Sequence, residues 1–284
     1  MIFLINQNYC IVLIFECKKR LAKGVKIVPK ISAKVEVELF QEHLIEVTFT
    51  ALTRDGWGKW EGLVGAEYAD EYKLTLPHTH FAYKAKVDDV ICGQWNNGNP
   101  KWENTPQFPR SGSIIVILES PHKHEYDYTD EMKPRRPLMN PSSQTRFQNQ
   151  FERLISSIQD GPDLHHDPQI VLCNPIQFQT SLHHLYQPND QGKTDNLRKA
   201  IRNATWRGLW GCKKDGRFPF QEDLINRLAK REPCIIINAC TQVLQDELTH
   251  LLVTLPYPVF EATNHPAYWN SATRIYRVKE STTT

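Results

Sequence analysis

Four segments of the chain lead into side chains that can carry charge, move a proton or aim a hydrogen bond. Five consecutive aliphatic residues, Ile114 to Leu118, run straight into Glu119, Ser120, Pro121 and His122. Ile170-Val-Leu-Cys173 runs into Asn174 and Pro175, and Cys234-Ile-Ile-Ile237 runs into Asn238. Tyr257-Pro-Val-Phe260 is followed, after a short link, by Asn264, His265 and Pro266. Together, a carboxylate, a carboxamide and an imidazole would supply negative charge, a planar donor–acceptor pair and a group that titrates near neutral pH. Each also has a plainer reading. Glu119 or Ser120 can cap a helix, Asn174 before a proline suits a turn, and a lone histidine is usually a hydrogen-bonded structural residue. What sets them apart is a shared position, each following an apolar strand.

The elements that would have to position them alternate in type. The aliphatic runs read as strands covered on both faces. Between them lie helical stretches at 147–158, 194–206 and 220–229, and one that follows Ile237 through Leu252. Such alternation predicts a three-layer α/β/α fold with a four-stranded, mostly parallel sheet. The carboxyl ends of its strands would then share one edge, where a ligand crevice forms. Pro258 marks the fourth strand as an edge strand. Upstream, residues 34–40 and 44–50 alternate as a hairpin does, 54–60 carry Asp-Gly turn chemistry, and the first fifteen residues suit an edge strand or hairpin. An Asn-, Gly- and Pro-rich loop from Gln94 to Pro109 marks a boundary. The expected organisation is a β-rich N-terminal region over 1–108 and an α/β domain over 109–284.

Composition narrows the class. A chain of 284 residues with 40% hydrophobic and 23% charged residues is ordinary for a globular protein, and a formal charge of +2 permits a nucleic-acid partner without requiring one. The seven cysteines include no C-x-x-C pair, which points to a reducing, cytoplasmic setting without a zinc or iron–sulfur site. The apolar N-terminal run is too short to span a bilayer and lacks signal-peptide features, so no membrane partner is expected. Gly192-Lys193-Thr194 lacks the leading glycine of a phosphate-binding loop. The adjacent pairs His165-His166 and His183-His184 diverge on any regular backbone, and His78 with His80 has no evident third ligand. No metal and no cofactor is expected.

At these residues the chain resembles the uracil-DNA glycosylase superfamily. Leu118-Glu-Ser-Pro-His122 is similar to that superfamily's G-E-A-P-G motif, Asn174 to its base-reading asparagine, and His265-Pro-Ala-Tyr268 to its closing H-P-S or H-P-A motif, in the same order. The resemblance covers roughly residues 111–270 as a topology. Leu118 stands where the motif has glycine, Ser120 where the G-Q-D-P-Y form has its aspartate, and His122 where a tyrosine or glycine borders the base.

What the resemblance implies is hydrolysis of the N-glycosidic bond of uracil, or another deaminated or damaged base, in single- or double-stranded DNA. Glu119 would stabilise the cationic sugar and orient water, and His265 would donate to the departing base. Asn174 would read the base, with Ser120, Pro121, His122 and Asn264 around it. Phe147 would stack on the base or simply open a core helix. Tyr268 and Trp269 would wedge the duplex or simply pack. Arg198, Lys199, Arg202 and Arg207, in the most basic stretch of the chain with Trp206 and Trp210 among them, would follow the phosphate backbone or form a solvated helix face. Two other functions fit the same residues: a non-catalytic nucleobase or nucleic-acid-binding module, and a hydrolase of free nucleosides or nucleotides.

Overall fold

A computed structural model describes residues 12–15, 30–40, 43–52, 86–102, 112–127, 133–158, 164, 167–181 and 195–278. Its strands are β1 (Val12–Phe15), β2 (Lys30–Phe40), β3 (His43–Leu52), β4 (Val90–Asn96), β5 (Asn99–Trp102), β6 (Ser113–Ile117), β7 (Tyr126–Asp127), β8 (Lys133–Pro134), β9 (Gln169–Cys173), β10 (Pro233–Asn238), β11 (Val259–Ala262) and β12 (Ile275–Arg277). Its α-helices are α1 (Pro141–Ser156), α2 (Asp195–Trp210), α3 (Pro219–Ala229) and α4 (Gln242–Leu252). The turn expected at 54–60, the paired histidines at 165–166 and 183–184, His78, His80 and the Gly192–Thr194 segment lie outside the described residues.

The chain divides into two units. One comprises Met1–Lys86, Tyr128–Met132 and Phe178–Phe220. In it β1, β2 and β3 form an antiparallel sheet in that order, and the alternating stretches pair as a hairpin with Val35 opposite Val47 and Val37 opposite Ile45. Helix α2 packs on β3. Trp206 and Trp210, one helical turn apart, stack at 5.1 Å between ring centroids and are buried, so they are core residues and offer no face to a base.

The other unit comprises Val87–Asp127, Lys133–Gln177 and Gln221–Thr284. It holds a seven-stranded sheet in the order β12-β11-β10-β6-β9-β4-β5. The four aliphatic strands expected to be parallel are its centre, β11, β10, β6 and β9, all parallel to one another. Three antiparallel strands, β12 at one side and β4 with β5 at the other, extend them. Ile275-Tyr-Arg277 is too short and polar to announce a strand, Val90–Asn96 falls within the expected N-terminal region, and Asn99–Trp102 pairs with it as a strand where the composition suggests a loop from Gln94 onward. The unit's start at Val87 therefore differs from a boundary near 108. Nor is β11 an edge, because β12 pairs with it; Pro258 sits just before β11, and its carbonyl accepts from the Ile236 N–H at 2.9 Å.

Strand alternation sorts the side chains. Ile114, Val116, Leu118, Ile170, Leu172, Ile235, Ile237 and Phe260 form one cluster with Phe147, Phe151, Leu154 and Ile155 of α1. Ile115, Ile117, Val171, Cys173 and Ile236, of opposite parity, are equally buried. On that second face Arg227 of α3 donates to Cys173 Sγ, and Asn238 donates to Gln245 O and Thr249 Oγ1 of α4. With both faces covered, continuous aliphatic runs are what such strands need. No helix among the described residues is long and apolar enough to cross a membrane.

Candidate functional site

The second of the four parallel strands, β9, lies on one side of the first, β6, and the third, β10, lies on the other. The connections thus reverse direction across β6, and the carboxyl edge there is the place where an open α/β sheet leaves a crevice. Ladder bonds carry the strands past their ends to this edge. Leu118 N–H donates to Cys173 O at 2.8 Å, and Ala239 N–H to Ile117 O at 2.9 Å.

Two asparagines reach this edge, and both are wholly buried. Asn238 is satisfied: its Nδ2 donates to Gln245 O at 3.0 Å and to Thr249 Oγ1 at 2.9 Å, while its Oδ1 accepts from Cys240 N–H at 3.1 Å. It ties β10 to α4. Asn174 is the opposite case, since neither Nδ2 nor Oδ1 has a hydrogen-bond partner. Its backbone is nonetheless held hard. Arg227 donates to Asn174 O at 2.9 Å and Pro175 O at 3.3 Å, and it is itself fixed by Asp89 at 2.6 Å and Asp223 at 2.8 Å. A rigid backbone therefore presents an amide that the protein itself leaves unused.

Glu119 is 5% exposed, and its Oε2 accepts from Thr241 Oγ1 at 2.5 Å, at the start of α4. By parity it continues the α4 side of the sheet, whereas Asn174 continues the α1 side with Leu172. The carboxyl beside Asn174 is a different one, Glu125. It ends a 3-10 turn, Lys123–Glu125, and is also 5% exposed. Its Oε1 accepts from the Leu138 N–H at 2.9 Å, while Oε2 is unpartnered. Desolvation pushes this carboxyl up to about 8, against the lowering effects of the Leu138 and His122 backbone and of the Asn174 side chain. Asn174 is thus near enough to favour the ionised form, although neither of its amide atoms meets hydrogen-bond geometry with Glu125.

The closing segment belongs to the α1 side. His265 caps the 3-10 turn Pro266–Tyr268, and its Nδ1 accepts from the Ala267 N–H at 3.2 Å, which leaves Nε2 to carry the proton of the neutral ring. Arg146 and Arg153 of α1 hold this loop through Ala267 O at 2.7 Å and Asn270 O at 2.9 Å.

Three expected residues take plain structural places. Phe147 is buried among Trp102, Phe151 and Trp269, with ring centroids 5.2–5.3 Å away, which is the core alternative for that residue. Trp269 is 2% exposed and donates through Nε1 to Asn264 O at 2.7 Å, so it cannot wedge a duplex, whereas Tyr268 is 66% exposed. Asn264 is exposed, and its side chain bonds Thr273 Oγ1 at 3.5 Å. Around the first motif, Pro121 is buried, Ser120 is half-buried and His122 is exposed. Lys199, Arg202 and Arg207 stand on α2 in the other unit. Lys199 is exposed and Arg202 donates to Asn203 Oδ1, while for Arg198 the backbone alone is described.

Glu125, Thr241 and Arg227 were not foreseen. The stretch Lys123-His-Glu-Tyr-Asp127 is polar throughout, and nothing in it marks which carboxylate turns inward. Arg227 lies on a helix where an arginine normally faces solvent. No known protein family, curated protein or solved structure matches the chain.

Two measurements follow from these environments. Replacing a satisfied buried amide orphans its partners, whereas replacing an orphaned one removes a penalty of roughly 1–3 kcal/mol. Urea unfolding should therefore find Asn174→Leu at least as stable as the native chain and Asn238→Leu destabilised by several-fold more than experimental error. Glu125 keeps its proton in the folded state up to about 8 but releases it near 4.5 when unfolded. Native stability should then fall as pH rises from about 4.5 to about 8, and Glu125→Gln should remove that slope, as read from unfolding curves across the window.

Proposed function

We propose that the second unit binds a nucleobase at the carboxyl edge of its parallel strands and hydrolyses the N-glycosidic bond joining it to DNA. The observation that carries this reading is Asn174, an amide with one donor face and one acceptor face, sealed from water and unpartnered on a clamped backbone. Such a group matches the adjacent carbonyl and N–H of uracil or a similar deaminated base and mismatches cytosine. In this reading the fold is a three-layer sandwich, with α1 on one face and α3 and α4 on the other, and the protein acts in the cytoplasm.

The reading assigns the chemistry to groups on segments that leave the same carboxyl edge. Cleavage leaves positive charge on the sugar and negative charge on the base. Glu119, oriented by the Thr241 hydroxyl, supplies the negative charge and positions water. His265, holding its proton on Nε2, donates to the base oxygen as charge builds there. Tyr268 fills the gap left by an extracted base. Arg198, Lys199, Arg202 and Arg207, on α2 of the first unit, are proposed as phosphate contacts.

A second reading keeps base binding at that edge and drops the chemistry. It is favoured by one feature: Glu119 is buried and already spends Oε2 on Thr241. A hydrolase of free nucleosides is less well supported, because the basic stretch suits a polymer. Single-stranded and duplex oligonucleotides carrying one uracil, incubated with the protein and then treated with alkali, separate the two main readings. Strand scission is expected, reduced by about 100- to 10,000-fold in Glu119→Gln and in His265→Ala with binding retained. Binding without scission in the native chain would leave the module reading in its place.

A further inference from the structure

We propose that Glu125 is a specificity-determining residue that joins Asn174 in reading the imide edge of a uracil-type base, Asn174 at the O4 and N3–H positions and Glu125 at O2. The inference rests on the nucleobase reading above and names what that site selects. Two buried side chains from separate segments stand close to one another and leave polar atoms without a well-formed hydrogen bond: Oε2 of Glu125, and Nδ2 and Oδ1 of Asn174. The other Glu125 oxygen is already taken by the Leu138 N–H, which fixes the carboxyl and leaves Oε2 as its free end.

The free atoms spell a pattern. With its carboxyl held up to about 8 by desolvation, Glu125 presents a hydroxyl donor at neutral pH. Asn174 adds a donor and an acceptor. In the proposed alignment the set reads donor, acceptor, donor. Its complement is acceptor, donor, acceptor, which is the carbonyl–NH–carbonyl edge of uracil and of other bases with an intact imide. Cytosine offers a donor where a carbonyl is needed. Hypoxanthine matches Asn174 but brings no second carbonyl to Glu125. An ionised carboxylate would repel O2, so burial of Glu125 serves the selection it makes.

Thio-substitution tests the pairing atom by atom, since sulfur is a far weaker acceptor than oxygen and changes little else. Single-stranded oligonucleotides carrying uracil, 2-thiouracil or 4-thiouracil are compared by fluorescence anisotropy, with base release scored in parallel by alkaline scission. The native chain should lose about tenfold in affinity for either thio base. Glu125→Ala should become indifferent to the 2-thio change while keeping its 4-thio penalty, and Asn174→Ala should show the reverse. Glu125→Gln keeps a donor and an acceptor and should restore the 2-thio penalty, which separates recognition from any loss of folding in the alanine variant. If native protein releases uracil but Glu125→Ala keeps the full 2-thio penalty, Glu125 does not read the base and only this inference falls. If native protein neither binds nor cleaves the uracil strand, the underlying reading falls and takes the inference with it.

Discussion

A primary amide cut off from water and left without a well-formed hydrogen bond is the constraint on which the second unit turns. Folding strips Asn174 of its hydration and returns no hydrogen bond of good geometry, with the Glu125 carboxyl close by, at a cost of roughly 1–3 kcal/mol in a molecule whose whole stability is several times that. The structure makes the cost permanent by clamping the backbone. Arg227 grips two successive carbonyls, and Asp89 and Asp223 grip Arg227. Asn238, one strand beyond β6 and equally buried, shows that the fold can satisfy an asparagine at this edge when it is needed for architecture. The contrast between the two asparagines argues that the amide of Asn174 is kept for a ligand.

Alternation along the strands decides what surrounds that amide. Residues two apart share a face, so Leu172 and Asn174 look toward α1 while Glu119 follows Ile117 toward α4. The result is a division of labour at one edge: Thr241 takes the Glu119 carboxylate, and Glu125 returns from a 3-10 turn to stand by Asn174. The His265 loop, pinned to α1 by Arg146 and Arg153, belongs to the Asn174 side. Two carboxyl groups of the same motif region thus meet different surroundings.

Much of this architecture was legible in the residues. Short aliphatic runs rich in β-branched residues suit strands buried on both faces, and the helical stretches between them favour parallel pairing, so the four central strands and their polar carboxyl ends could be read from the residues. Three antiparallel strands escaped because pairing, not composition, makes a strand of Ile275-Tyr-Arg277. The chemistry was less legible. Asn174 and His265 were readable from position, but the inward turn of Glu125 depends on an N–H from Leu138, thirteen residues on, and no local pattern encodes that meeting. Phe147 and Trp269 carried a possible role in stacking or wedging, and close packing against each other claimed both.

Side-chain amide NMR of protein labelled with 15N asparagine tests the central claim most directly. The Asn174 resonances, identified by their absence in Asn174→Leu, are followed as a single-stranded oligonucleotide carrying one uracil is added. Capture of a base by the orphaned amide predicts a downfield displacement of those protons, with the Asn238 pair left in place. Asn174 resonances that stay fixed at saturation, while signals elsewhere move, would contradict the account.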